Sequence, residues 1–195
     1  MSAASSLPYP GEWRTPSRGR IAMFALIIGE SALFTIFVVA YIFYIGKSLS
    51  GPTPRILEVP VFSTICLLSS SLTVLLAERA LRGNRIGAFA LWLGGTIGLG
   101  LIFLGGTAIE WHKLIYQDGL KISTNLFGTT YYSLVGLHAT HVVIGLMMLT
   151  IVFLFTLGRK VGEQHAERIA VLALYWHFVD AVWVVVFTVV YIVGR

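Results

Sequence analysis

Apolar residues along this chain fall into five long runs divided by short polar connectors. The runs cover about 21–46, 59–77, 86–109, 127–157 and 169–193, and each is long enough to cross a hydrocarbon layer as a helix. The pattern therefore predicts an all-α membrane protein, a bundle of five transmembrane helices over 21–195. The connectors are too short to hold a soluble domain. Before the first run, residues 1–20 carry Pro8, Pro10 and Pro16 together with Arg14, Arg18 and Arg20, which predicts an extended arm. The first run is far longer than the core of a signal peptide and is expected to be retained.

Polar residues interrupt the runs at few places. Glu30 stands alone in the first run, and at about 1.5 Å per residue it lies ~13 Å into a layer of ~30 Å. A charged side chain near a helix centre costs roughly 2.5–3.5 kcal/mol on insertion scales, so Glu30 is a functional candidate that needs a partner. The fourth run carries His138 and His141, and the fifth His177 and Asp180, each pair three residues apart and so close to one helix face. Counted along straight helices, His138 and Asp180 come out ~16 Å deep, near the level of Glu30. These groups are expected to face the bundle interior and to hydrogen-bond one another. A bland alternative stands beside this one: such residues also serve as polar glue between helices.

Other features have structural readings. The third run contains Gly94, Gly95, Gly98, Gly100, Gly105 and Gly106, with a GxxxG from Gly94 to Gly98 that predicts close helix packing, within this chain or against another. Ser69, Ser70 and Ser71 are expected to bond to backbone carbonyls one turn back. Trp13, Trp92, Trp111, Tyr116, Tyr131 and Tyr132 fall near the ends of the runs and read as interfacial anchors. Trp176 and Trp183 lie deeper and are expected to pack around His177 and Asp180.

Composition agrees with the pattern: 56% of residues are apolar and 12% charged, and the mean hydropathy is +0.83. Charge adds an orientation. Arg14, Arg18, Arg20, Arg79, Arg82, Arg85, Arg159, Lys160 and Arg168 fall on one side, against Lys47, Arg55, Lys113, Lys121 and Arg195 on the other. The richer side is predicted to be cytoplasmic, with the N-terminus and its arm inside and the C-terminus outside. The net charge of +5 is thus read as topology and contact with anionic headgroups, for which Arg20, Arg79 and Arg82 are candidates, and not as nucleic-acid binding. Cys66 is the sole cysteine, which excludes an internal disulfide and a cysteine metal cluster. His138 and His141 have HxxH spacing, but with no third ligand apparent no metal site is assigned.

At the last run the residues carry a resemblance. Tyr175-Trp176-His177-Phe178-Val179-Asp180-Ala181-Val182-Trp183 resembles the closing-helix signature of subunit III of heme-copper terminal oxidases, the cytochrome c and quinol oxidases. Gly136-Leu137-His138-Ala139-Thr140-His141-Val142 is similar to the family's histidine pair, Gly29-Glu30-Ser31 to its early glutamate, and Glu110-Trp111 to its Glu-aromatic pair. The likeness runs from Ile21 onward and matches the short, five-helix form. It departs at Ala170, where mitochondrial-type members carry a glutamate; Glu167 lies about one turn earlier.

The resemblance implies an accessory subunit that is not an enzyme by itself. It would belong to a proton-pumping oxygen reductase of a bacterial inner membrane and pack on subunit I, with subunit II and other respiratory subunits nearby. It would bind phospholipid and support proton uptake and turnover stability, while heme and copper reside in the partners. By the same resemblance Glu30 with His138 or His141 forms the buried functional contact, and His177, Asp180 and Trp176 lock the last helix. Five histidines without facing axial pairs also argue against a heme in this chain. The rival reading is a small proton-coupled transporter using Glu30 and the histidines; apart from Pro60 at the start of the second run no proline lies in any run, and no repeat is evident, which disfavours it. An intramembrane hydrolase ranks last.

Overall fold

A computed structural model describes residues 17–47 and 51–194. Trp13, Arg14, Arg195 and the arm up to residue 16 lie outside the described residues. The chain is all-α, with five helices long and apolar enough to cross a membrane and no strand among the described residues. Helix α1 is Arg18–Tyr44, α2 Val61–Arg82, α3 Ile86–Tyr116, α4 Leu126–Leu157 and α5 Ala166–Phe187, the last continued by a π-type turn over Thr188–Val193.

Helix ends depart from the apolar runs where polar residues can carry the helix on. Ser17 caps α1, its Oγ accepting from the Arg20 amide at 3.4 Å, so Arg18, Gly19 and Arg20 are helical and not part of an extended arm. Helix α2 continues past Ala77 to Arg82, with Glu78 and Arg82 paired at 2.8 Å across one turn. It stops at Gly83 and Asn84, whose φ of 53° turns the backbone left-handed. Helix α3 runs seven residues beyond Ile109 because Glu110 finds partners inside the bundle, as described below. Asn125 caps α4, its Oδ1 accepting from the Gly128 amide at 2.8 Å.

Helices α4 and α5 form the centre, α2 and α3 pack together on one side, and α1 leans on α4 and α5. Of the α1 residues only Phe34 and Tyr41 are buried, and Ile28, Ile36, Val39 and Phe43 point outward. A helix apolar all round suits a lipid or protein neighbour on that side.

Close packing surrounds Trp176, fully buried between α3 and α4. A methyl group on Gly145 would sit 2.8 Å from two of its ring carbons, and one on Gly100 would sit 3.1 Å from a third. Glycine at these two positions is what admits the indole. The GxxxG pair is not the device: nothing lies within 4 Å of a methyl placed on Gly98, and Gly94 meets only Phe153. Its glycines share a face, but beside Gly98 there is open space for a methyl group.

Candidate functional site

Helix α1 carries Glu30 to the side of α4, where Glu30 Oε2 lies 3.1 Å from His141 Nε2. The side chains are 28% and 10% exposed, a contact at the edge of the bundle and not at its centre. His141 Nδ1 is 2.8 Å from the carbonyl of Leu137. A carbonyl only accepts, so Nδ1 carries the hydrogen, and a neutral His141 has a bare Nε2. The bridge to Glu30 therefore requires one proton, held by the carboxyl or by the imidazole. Phe34, one turn after Glu30, covers the ring with centroids 5.0 Å apart.

His138 does not join this pair. It is wholly buried, stacked on Trp183 with centroids 4.9 Å apart and edge-on to Phe103 at 5.8 Å, and neither ring nitrogen has a hydrogen-bond partner among the described residues. Three residues advance a helix by about 300°, leaving His138 and His141 roughly 60° apart around α4. That is enough to aim one at α5 and the other at α1. Among the described residues no three His, Cys, Asp or Glu side chains converge as metal ligands.

A second polar seam joins α5 to α2. Ser71 Oγ donates to Asp180 Oδ2 and lies 3.1 Å from His177 Nδ1. Trp176 Nε1 donates to Ser70 Oγ at 2.8 Å, and Trp183 Nε1 to Thr64 Oγ1 at 3.2 Å. Ser70 also donates to the Leu67 carbonyl, one turn back; Ser71 does not follow that local pattern, because Asp180 offers a stronger acceptor across the seam. Trp183 packs on His138, and Trp176 on Gly100 and Gly145, so neither tryptophan simply surrounds His177 and Asp180.

A third cluster was hidden in the sequence. Glu110 accepts from Tyr191 Oη at 2.8 Å and from Tyr131 Oη at 3.1 Å, tying α3 and α4 to the π-type turn. Tyr131 is fully buried, and Tyr132 donates to the Leu120 carbonyl at 2.8 Å, so both face inward and are not interfacial anchors. The one available signal was Glu110 itself, a carboxyl at the end of an apolar run.

Of the headgroup candidates, Arg20 pairs with Glu167 at 3.1 Å and Arg82 with Glu78, while Arg79 is exposed. Glu167 is thus engaged at the start of α5. Its partner Arg20 is ten residues, or ~15 Å, along α1 from Glu30.

Comparison with known proteins places these features in a family. The family model described as cytochrome c oxidase subunit III matches residues 19–195. The chain is 37% identical over 169 residues to cytochrome c oxidase subunit 3 of Alkalihalophilus pseudofirmus, covering 85% of this chain and 82% of that one. It is 36% identical over 170 residues to cytochrome c oxidase subunit 3 of Bacillus subtilis, with 85% and 82% covered. Cytochrome bo(3) ubiquinol oxidase subunit 3 of Pseudomonas aeruginosa is 34% identical over 171 residues, with 86% and 81% covered.

Proposed function

The chain belongs to the cytochrome c oxidase subunit III family, and from that premise we propose that it is the accessory third subunit of a proton-pumping heme-copper oxygen reductase. It holds no heme or copper and performs no redox step. It packs on subunit I in a bacterial inner membrane, N-terminus inside, binds phospholipid along its apolar flanks, and sustains proton uptake during turnover.

The observation that carries this reading is the Glu30–His141 pair. Two titratable groups meet across the α1–α4 seam in a bridge that requires a proton between them, and the Glu30 side chain keeps 28% of its surface exposed on the bundle's flank. A purely structural bridge would gain by full burial among other helices. A group that trades protons with a neighbouring subunit must remain reachable from it. The exposed apolar face of α1 beside Glu30, with Ile28 71% and Ile36 65% exposed, is the surface such a neighbour would cover.

The test is Glu30→Gln in the assembled complex. The amide can donate to His141 Nε2 and so preserve the bridge, yet it cannot release a proton. Assembly is expected to survive, while activity decays faster over successive turnovers or proton uptake slows. Turnover stability and uptake equal to those of the unaltered complex would reduce Glu30 to packing.

A further inference from the structure

His177 and Asp180 meet at the same hydroxyl. Asp180 on α5 is 3% exposed, and its Oδ2 contacts Ser71 Oγ on α2; its Oδ1 has no hydrogen-bond partner in the described residues. His177, nearly one turn earlier on α5, places Nδ1 3.1 Å from that same Ser71 oxygen. The neighbouring hydroxyls at this seam, Ser70 and Thr64, are taken by the indoles of Trp176 and Trp183. Among the described residues, the hydrogen-bond route to the Asp180 carboxyl therefore passes through Ser71.

Ser71 has one hydroxyl hydrogen and two contacts to satisfy. If it donates to Asp180, His177 must supply the hydrogen of the other contact from Nδ1. If it donates to His177, Asp180 must carry a proton and donate to Ser71. Both arrangements fit the same heavy-atom positions. Passing from the second to the first breaks the Asp180 O–H bond and moves that proton to Ser71 Oγ, while the hydrogen of Ser71 moves to His177 Nδ1. The carboxylic acid and neutral imidazole become carboxylate and imidazolium, with atoms and charge balanced and no electron transferred.

We propose that Ser71, His177 and Asp180 form a second proton-exchange site, in the α2–α5 seam and separate from Glu30–His141, with Ser71 as the relay between the two titratable groups. The site exchanges through His177, the less buried of the two. Glu78, the first charged residue along α2 beyond Ser71, lies two turns away and is paired with Arg82 at the end of the helix.

The test is infrared difference spectroscopy of the full chain, alone or with the subunits that accompany it, between acidic and alkaline buffer in H2O and in D2O. A carboxylic acid carbonyl band that shifts in D2O is expected, abolished by Asp180→Asn and retained in Glu30→Gln. His177→Gln and Ser71→Ala are each expected to move the midpoint of that band by about tenfold in proton concentration, whereas Ser71→Thr, which keeps the hydroxyl, leaves it within about twofold. The proposal is overturned if no Asp180-dependent band titrates. It is equally overturned if the band titrates but the midpoint is the same in the unaltered chain, Ser71→Ala and His177→Gln. Should Ser71→Ala fail to fold, the His177→Gln and Ser71→Thr comparison decides alone.

Discussion

Removing Glu30 one atom type at a time separates the bridge from the space it fills. Glu30→Gln keeps a donor for the bare Nε2 of His141, and Glu30→Leu keeps the bulk but leaves that nitrogen without a partner. Hydrogen bonds between membrane helices contribute about 0.6 kcal/mol on average and up to ~1.7. The present one sits toward the upper end, because its 3.1 Å contact joins an imidazole to a carboxyl and His141 is only 10% exposed. An orphaned buried acceptor costs about 1–3 kcal/mol, lessened here by the partly open edge. Glu30→Leu should therefore lose about 1–2 kcal/mol and Glu30→Gln about 0–0.5. For a chain of this size each kcal/mol shifts the melting temperature by roughly 2–4 °C. Thermal unfolding in a fixed detergent or nanodisc should show Glu30→Leu melting about 2–8 °C lower and Glu30→Gln within about 2 °C. The decisive sample is the double variant Glu30→Leu, His141→Leu. With both partners apolar nothing is left unpaired, so it should recover about 0.6–1.7 kcal/mol relative to the sum of the single losses. Strictly additive losses, or Glu30→Gln as unstable as Glu30→Leu, would refute the bridge.

Two further variants probe the frame around the site. Gly145→Ala should destabilise by about 1–3 kcal/mol, since its methyl would lie 2.8 Å from the Trp176 ring, which Ser70 and Gly100 prevent from retreating; Gly98→Ala, with open space around it, should melt at or above the unaltered chain in the same assay. Glu110→Leu should leave the buried Tyr131 and Tyr191 hydroxyls only each other, 3.4 Å apart, at a cost of about 1–3 kcal/mol, and speed amide hydrogen exchange over Thr188–Val193, while Glu110→Gln, which still accepts, should leave that exchange near its original rate.

Hydropathy made the five helices legible because lipid demands long apolar segments with their backbone bonds made internally. Glu30 was legible for the complementary reason: a lone carboxyl in such a segment is costly unless a partner meets it. Its partner was narrower than the sequence allowed. His138 and His141 are equivalent by spacing, and only the placement of α1 on one flank of α4 selects His141. Ser71 was illegible because serines in membrane helices usually satisfy themselves on their own backbone, as Ser70 does on Leu67. Nothing local marks the serine that reaches across instead. Tyr131 and Tyr132 were misread for a related reason. Position near the end of an apolar run places a tyrosine at interfacial depth but does not say which way it points, and the extension of α3 beyond Ile109 sets Glu110 where Tyr131 can reach it. The glycines teach the same lesson. Motif spacing marks a smooth face at Gly94 and Gly98, whereas the closest approaches to Trp176 occur at Gly100 and Gly145, where an indole from a third helix enters.

On this reading the chain works as part of an oxygen reductase whose redox centres belong to other subunits. The most direct measurement is to tag the chain, solubilise the native membrane gently, isolate it, and record the reduced-minus-oxidised optical spectrum alongside oxygen consumption. Heme bands and donor-dependent oxygen uptake are expected in the isolated material, with both lost when the chain is stripped from its partners. An intact, colourless chain isolated alone, with no oxygen uptake in any fraction it enters, would contradict it.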